Sequence, residues 1–191
     1  MIELVRPTGD LAASWWAMVD AFGGEPINGS SLRVADVGRL RDPDVFGVWV
    51  DWLAEQARDD VELPEGRVPS SFRWILDTGR VVGTLALRHA LNPALLVVGG
   101  HIGYAVEPGS RRRGVATAAV RLALSMAATR GLNRVLITCD LDNVASARLI
   151  EGVGGVLEDE RAGSCRYWVP TGTTGTTGTT GTTDPARRHP E

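Results

Sequence analysis

The sequence predicts one α/β domain of the α+β type, with helices on both faces of a mixed, mostly antiparallel central sheet. Residues 71–76 and 81–88 are apolar runs joined by a tight turn at 77–80, which is typical of an antiparallel hairpin. From residue 100 onwards, apolar strands alternate with helical runs. Hydrophobic residues make up 43% of the 191 and charged residues 23%, as in an ordinary globular domain.

The first half of the chain is predicted to contain one strand and two helices before the hairpin. Residues 2–6 alternate between apolar and polar, and residues 11–22 carry apolar side chains at helical spacing. Asp42 and Pro43 indicate a helix start, with Asp42 as N-cap and Pro43 in the first turn. This helix is expected to run to about residue 58. Two segments rich in glycine, serine, proline or acidic residues are predicted loops: 23–41 and 59–69.

The second half is predicted to alternate strands and helices. Residues 91–100 form a connection that ends either as loop or as strand. An alanine-rich helix and a glycine-rich stop after residue 152 indicate the two helices of this half. The expected order is strand 100–106, helix 115–129, strand 134–139, helix 143–152, and a hairpin of strands 156–160 and 165–169.

The chain changes character after the last predicted strand, so the domain is expected to span residues 1–170. Residues 171–191 contain four Gly-Thr-Thr repeats, and no large apolar side chain follows Val169. Burial therefore cannot offset the entropy of ordering this segment, and a disordered tail is predicted. A periodic fibrous structure is the alternative.

Composition excludes several classes of partner. The net charge of −3 gives no field that favours nucleic acid, and it slightly favours a cationic acceptor. No run is long and apolar enough to cross a bilayer, and the N-terminus lacks the pattern of a signal peptide. Cys139 and Cys165 are expected to be buried thiols. We expect a cytoplasmic protein without a metal site.

A basic loop between a strand and a helix is the most informative feature. The strand ends before Pro108, three arginines follow, and the alanine-rich helix begins after Gly114. Unpaired amides and the helix dipole attract anions at such a helix N-terminus. The loop lacks the signatures of P-loops and of dinucleotide-binding turns. Its pattern is Arg111-x-x-Gly114-x-Ala116, which predicts a phosphate site; a solvated basic turn is the alternative.

The order of two motifs resembles the GNAT superfamily of N-acetyltransferases. Arg111, Gly114 and Ala116 meet its acyl-CoA-binding pattern [RQ]-x-x-G-x-[GA], after a strand at 101–106 that resembles its central strand. About 30 residues later, Asn143 with Ser146 and Leu149 resembles its N-x-x-[AS]-x-x-L helix, although Asn143 is also a plausible N-cap. The resemblance covers residues 70–169. Three segments resemble a bacterial subgroup of predicted acetyltransferases: 101–104, 136–140 and 154–155.

The resemblance implies acetyl-CoA as co-substrate and direct transfer of acetyl to a primary amine. Loop amides would bind the pyrophosphate, and the main chain near Val106 would pair with the pantetheine arm. The amine belongs to a small molecule or a peptide. Dimers are common among such proteins, so a homodimer is an open alternative. The residues implied to bind acetyl-CoA are Val106, Arg111, Arg112, Arg113, Gly114, Val115, Ala116, Thr117, Asn143 and Ser146.

The acid–base residues do not follow the family pattern. Many relatives have a tyrosine seven residues after the asparagine, where this chain has Ile150. Tyr104 and Tyr167 are the candidate proton donors. His101 is the candidate base, because related enzymes often have a glutamate there and histidine accepts protons near neutrality; a backbone-bonded histidine is the alternative. His89 is a second candidate base. Cys139 is either a nucleophile or a small core residue.

The residues that would bind the acceptor amine are the least clearly indicated by the sequence. Trp49, Trp52, Trp74 and Arg67 either line an acceptor pocket or serve packing. Glu107 is expected to be exposed beside the basic loop. Two other functions remain open: a non-catalytic acyl-CoA-binding module, favoured by Ile150, and a nucleotide or phosphate-ester binder of another fold.

Overall fold

Seven strands and six helices follow one another in the computed structural model, which describes residues 1–172. Short 3-10 turns precede α1, α2 and α5. The strands are β1 (Ile2–Val5), β2 (Ser70–Asp77), β3 (Arg80–Arg88), β4 (Ile102–Val106), β5 (Arg134–Asp140), β6 (Val156–Arg161) and β7 (Ser164–Pro170). The helices are α1 (Ala12–Ala21), α2 (Val37–Leu40), α3 (Pro43–Glu55), α4 (Pro93–Val97), α5 (Val115–Thr129) and α6 (Val144–Gly152).

The strands form two sheets with the orders β1-β2-β3-β4 and β5-β7-β6, and every neighbouring pair is antiparallel. Helices α5 and α6 pack on one face, whereas α1 and α3 pack on the other. The predicted α/β class with mostly antiparallel strands is confirmed. The sheet is divided, however, because no strand pairing joins β4 to β5 in the described residues.

A gap therefore opens between β4 and β5, and we call it the β4–β5 gap. Its closed end is at His101, whose N–H donates to the carbonyl oxygen of Leu136 at 2.7 Å. The Leu136 N–H donates in return to His101 Nδ1 at 2.8 Å. Past this point the edges of the two strands are available to a ligand.

The face with α5 holds the larger core. Ala119, Ala123 and Ala127 are fully buried at a spacing of four residues, so one small-residue side of α5 lies on the sheet. Small side chains let the helix approach the strands closely. This packing fixes the direction of α5 and therefore the position of its N-terminus beside the gap.

The opposite face is dominated by aromatic packing. The rings of Trp15 and Trp74 stack with centroids 4.6 Å apart, and Trp49 tilts against Trp15 at 5.5 Å. Helix α3 begins as predicted, because the Asp42 carboxylate accepts hydrogen bonds from the amides of Asp44 and Val45. The tryptophans thus hold α1 and α3 on the sheet.

Two predicted connections are wrong in detail. The expected loop 23–41 contains α2, and the connection 91–100 contains α4 rather than a strand end. Both helices have five residues or fewer, too short for a periodic signal. In α4, Asn92 is the N-cap and Pro93 the first helical residue. Residues 173–191 of the predicted tail lie outside the described residues.

Candidate active site

The loop after β4 places free backbone amides at the start of α5. Arg112 (φ 61°) and Gly114 (φ 78°) are left-handed, a conformation that glycine adopts at little cost. The first hydrogen bond of the helix joins the Ala118 N–H to the Gly114 carbonyl oxygen at 3.0 Å. The amides of residues 115–117 consequently have no helical acceptor. With the helix dipole, they form a site suited to a phosphate group.

A buried carboxylate anchors this loop. Arg80 Nη2 donates to Glu107 Oε1 at 2.5 Å, and Ser110 Oγ donates to the same oxygen at 2.8 Å. Glu107 is only 4% exposed, so the expectation of an exposed residue is wrong. The turn between β2 and β3 brings Arg80 to the loop, which the local sequence does not reveal.

The three arginines of the loop have different surroundings. Arg111 Nε donates to the Val106 carbonyl oxygen at 2.9 Å, which ties its side chain to the end of β4. Arg113 Nη2 lies 3.5 Å from Asp77 Oδ2. Arg112 is exposed and has no ion pair within residues 1–172. Its guanidinium is therefore the one of the three most available to an incoming phosphate.

The main chain of β4 presents hydrogen-bonding groups to the gap. The Glu107 N–H donates to the Val82 carbonyl oxygen, and the His101 carbonyl oxygen accepts the Arg88 N–H, so the Glu107 amide and the His101 carbonyl point towards β3. The main-chain groups of successive residues point to opposite sides of an antiparallel strand, so those of Tyr104 and Val106 point away from β3. Their amides face the β4–β5 gap, where an extended ligand can pair with them.

Tyr104 and Ser146, two of the predicted site residues, meet across this gap. The Asn143 side chain caps α6 by accepting the Ser146 N–H at 3.1 Å, which leaves its NH₂ group exposed and able to donate. Ser146 Oγ lies 2.7 Å from Tyr104 Oη. The phenol of Tyr104 is thus held between β4 and the start of α6. Burial raises its pKa, so the phenol stays protonated at neutral pH.

Tyr167, the other candidate acid, lies on β7, beyond β5 from the gap. It is 3% exposed, and its hydroxyl donates to Glu151 Oε1 at 3.3 Å. Burial, followed by the neighbouring Cys165, raises its pKa to about 12. Of the two tyrosines, only Tyr104 borders the gap, whereas Tyr167 belongs to the core beneath α6.

His101 lies at the closed end of the gap and is 6% exposed. Its Nδ1 accepts the Leu136 N–H, and its ring lies 6.2 Å from that of Trp168. Burial, with a contribution from the charge of Arg88, lowers its pKa to about 4. A ring that already accepts a backbone amide and resists protonation favours a structural role over that of a general base.

The remaining acid–base candidates are also remote or inert. His89 Nε2 lies 2.9 Å from Ser71 Oγ, and Arg130 at the far end of α5 helps burial to lower its pKa. Burial raises the pKa of Cys139 to about 11, which suppresses its thiolate. Ile150 is fully buried in the core. These positions favour packing roles.

A cavity of about 160 Å³ lies on the opposite face of the sheet from α5 and α6. Arg67 lines it, as the acceptor-pocket prediction required, but Trp74 is a core residue and Trp52 instead supports Arg67 at 4.8 Å. Sequence reasoning missed two further lining residues, Arg88 and Gln56. The only local signal was a charged residue at the end of the apolar strand β3.

Two properties of residues 1–172 bear on other kinds of function. No cluster of three or more His, Cys, Asp or Glu side chains in this part could hold a metal ion. No helix in it has the length and hydropathy needed to span a membrane.

Comparison with known proteins yields a clear family match. The sequence model of the family described as "Acetyltransferase (GNAT) domain" matches residues 32–156, which include the basic loop and Asn143. No curated protein sequence matches the chain.

Solved structures share the fold at low sequence identity. The microcin C7 self-immunity acetyltransferase MccE, in complex with acetyl-CoA and AMP, is 16% identical, with a TM-score of 0.62 over 88% of this chain and 92% of its own. Mycobacterium smegmatis RimJ, in complex with CoA-disulfide, is 21% identical, with a TM-score of 0.63 and coverages of 88% and 81%. The Salmonella typhimurium acetyltransferase that modifies the N-terminal serine of ribosomal protein L7/L12 is 15% identical, with a TM-score of 0.60 and coverages of 88% and 94%.

Proposed function

The chain belongs to the GNAT acetyltransferase family, and from this premise we propose that it is an N-acetyltransferase that transfers acetyl from acetyl-CoA directly to a primary amine. One observation carries the proposal: free amides at the start of α5 adjoin a gap into which the β4 main chain and the Tyr104 phenol project. Along the gap, this arrangement offers an anion site, then a strand edge for the extended arm of a ligand, and then a proton donor.

Acetyl-CoA would contact main-chain atoms for most of its length. The amides of residues 115–117 would hold the pyrophosphate, with Arg112 adding charge beside them. The groups of Tyr104 and Val106 that face the gap would pair with the pantetheine arm as a strand would. The exposed amide of Asn143 would donate to the same arm from the other side of the gap. Structural relatives bound to acetyl-CoA or CoA support this assignment.

The chemistry needs a stabilised oxygen and a proton for sulfur. The amine nitrogen attacks the thioester carbonyl carbon, the C–S bond breaks, and the nitrogen loses a proton. A β4 amide that faces the gap would stabilise the negative charge that develops on the carbonyl oxygen. Tyr104 would give its proton to the departing sulfur, because its raised pKa keeps the phenol protonated at neutral pH and its hydroxyl borders the gap. The proton lost by the nitrogen would pass to solvent, and solvent would return a proton to the Tyr104 phenolate, so the products are the amide and the CoA thiol.

No side chain on the gap is proposed as a general base. His101, with its pKa lowered to about 4, is uncharged at neutral pH, but its Nδ1 already accepts the Leu136 N–H, so its one proton lies on Nε2 and neither nitrogen is free to accept another. We propose that the acceptor enters as the free amine. The turnover should then rise with pH as the fraction of free amine rises, and this dependence should follow the pKa of each amine tested.

The acceptor is proposed to be a small molecule or a peptide. The peptide class is supported by the Salmonella relative, which modifies an N-terminal serine. A homodimer and a cytoplasmic location remain predictions from the sequence.

The proposal is tested by measuring thiol release from acetyl-CoA with a panel of amines and peptides. All 20 basic residues other than histidine are arginine, so the chain has no lysine and its N-terminus is its only primary amine. Self-acetylation can therefore be checked at that one group by mass spectrometry. Amine-dependent release with an acetylated product supports the proposal. CoA binding without turnover on any amine would favour the non-catalytic module, and a preference for ATP over CoA in calorimetry would contradict both.

A further inference from the structure

The cavity on the face with α1 and α3 has a mixed polar and apolar lining that includes two arginines. Its lining includes Arg67, Arg88, Gln56, Ser31 and Ser70, and no aspartate or glutamate. Its volume of about 160 Å³ is below the 300–1,000 Å³ typical of sites for whole drug-sized ligands. It therefore suits one end of a small molecule or one side chain.

The two guanidinium groups are positioned but not neutralised. Arg67 Nη1 donates to Ser31 Oγ at 3.2 Å, and its guanidinium lies over the Trp52 ring. Arg88 Nη1 donates to the carbonyl oxygens of Gly99 and Gly100, both at 2.9 Å. Neither arginine has a carboxylate partner within residues 1–172. Each retains N–H donors in the planar fork that matches an oxyanion.

Further features of the cavity favour an anion. Gln56 is 3% exposed and lines the cavity, and its carboxamide makes no side-chain hydrogen bond within residues 1–172. Because Gln56 lines the cavity, its carboxamide N–H is available to donate to a ligand oxygen. Arg33 adds positive charge close enough to lower the pKa of Arg67 further, after burial.

The cavity also reaches the strand that borders the gap. A Cβ atom placed on Gly103 would lie 3.6 Å from both Nη1 and Nη2 of Arg88. Gly103 directly precedes Tyr104, and one strand residue spans about 3.3 Å. A ligand held by Arg88 is therefore one side-chain length from the β4–β5 gap, on the face opposite the helices α5 and α6.

We propose that this cavity binds a carboxylate carried by the acceptor, so that the enzyme acetylates amines whose molecule also bears an acidic group. Arg67 and Arg88 would grip the carboxylate, Gln56 would donate to it, and the amine would extend towards Tyr104. The inference rests on the proposed acetyl transfer for its role in the reaction. The anion site itself rests only on the cavity.

A binding experiment tests the site without any turnover. Side-chain ¹⁵N NMR of the full chain is followed during titration with succinate, succinamide or inorganic phosphate at constant ionic strength. We expect saturable shifts of the Arg67 and Arg88 Nε–H signals with succinate and none with succinamide. Arg67→Gln should weaken succinate binding at least tenfold, whereas Arg67→Lys should weaken it less because the charge remains. Arg121→Gln, which removes an exposed charge from α5, is the matched control and should leave it unchanged.

Three outcomes would overturn the site: no saturable shift with succinate, equal shifts with succinamide, or unchanged succinate binding in a folded Arg67→Gln variant. Phosphate binding at least tenfold tighter than succinate would overturn the carboxylate in favour of a phosphorylated acceptor. Circular dichroism establishes that each variant is folded.

A turnover experiment tests the link to the reaction. β-Alanine and β-alaninamide share a primary amine and differ in the carboxylate. We expect kcat/KM, corrected for the free-amine fraction, to favour β-alanine at least tenfold, and Arg67→Gln to remove most of that preference. Turnover without preference would overturn the inference and leave the acetyltransferase standing. Succinate binding without turnover of any amine would contradict the proposed function and leave the anion site standing.

Discussion

The two sides of β4 are built from different kinds of atoms. On the gap side, the groups that face a ligand are mainly backbone amides, those of residues 115–117 and of Tyr104 and Val106. On the other side, the cavity is lined by long side chains from separate segments, above all Arg67 and Arg88. Backbone amides keep their positions when side chains change, so the gap side is suited to a ligand that does not vary. The side chains that line the cavity can change, so the cavity side is suited to selecting one ligand among several.

Tyr104 is the exception to this contrast, because it is a side chain on the backbone-built side. Tyr104→Phe removes the proposed proton donor and should lower kcat about 100-fold, in the range typical of general acid catalysis, with little change in the KM for acetyl-CoA. Steady-state kinetics measure both. The matched control is Tyr167→Phe, which should leave kcat unchanged because that hydroxyl contacts Glu151 of α6, away from the gap. An equal loss in both variants would contradict the assignment.

Gly114 tests whether backbone geometry carries cofactor binding. Gly114→Val puts a β-branched side chain at φ 78° and in the open space over the loop, where no protein atom lies within 4 Å of the new Cβ. The strain and the obstruction together should raise the Kd for CoA at least tenfold, since the left-handed conformation alone costs about 1–2 kcal/mol. Calorimetry measures the Kd. Gly109→Val, in the same loop without positive φ, is the control and should bind nearly as the wild type does.

The Arg112→Gln variant measures how much the arginine charge adds to the CoA binding expected from the backbone amides. Arg112→Gln should raise the Kd for CoA only about two- to fivefold, because exposed charge interactions contribute about 1 kcal/mol or less. The difference from wild type should shrink in high salt, which screens exposed charges. A loss as large as that of Gly114→Val would show that side-chain charge, not backbone geometry, dominates this side.

Of these variants, His101→Ala should change the turnover least. His101→Ala removes the acceptor of the Leu136 N–H and should cost about 1–3 kcal/mol of stability, while kcat per folded molecule stays near wild type. A fall of kcat near neutral pH without loss of stability would instead restore the catalytic reading.

The pH dependence of stability gives a second measure for His101. Its pKa is about 4 in the folded protein, below the ordinary 6.5, so the unfolded chain takes up the proton first as the pH falls. The stability contributed by the neutral ring is present above pH 6.5 and is lost between pH 6.5 and about 4, by up to about 3 kcal/mol. Urea unfolding across this range should show a shallower decline in His101→Ala.

The features predicted from the sequence are those whose determinants are local. Helix α5 has the predicted bounds because an alanine-rich run begins at a glycine and ends before another. The start of α3 was predicted because Asp42 and Pro43 act through their own neighbouring amides. The family motifs of the loop and of Asn143 are likewise continuous stretches of chain.

The features that were missed depend on residues brought together by folding. Arg88 and Gln56 are 32 positions apart, and only the packing of α3 against the first sheet places them on one cavity. His101 has a sequence position suited to a base, but its partner is a backbone amide 35 residues away. Local patterns carry no information about such partners, which also explains why Glu107 was expected to be exposed.

The contact between Arg80 and Glu107 has a consequence for how this chain can change over evolutionary time. Arg80, which holds the basic loop through Glu107, belongs to the hairpin turn at residues 77–80, and this turn does not itself line the gap. An insertion in that turn would displace Arg80, and the loop would lose its anchor without any change in its own sequence. Hairpin turns on protein surfaces usually vary freely in length among relatives. Here we expect natural variants to keep the length of this turn, because selection for cofactor binding would act on it indirectly.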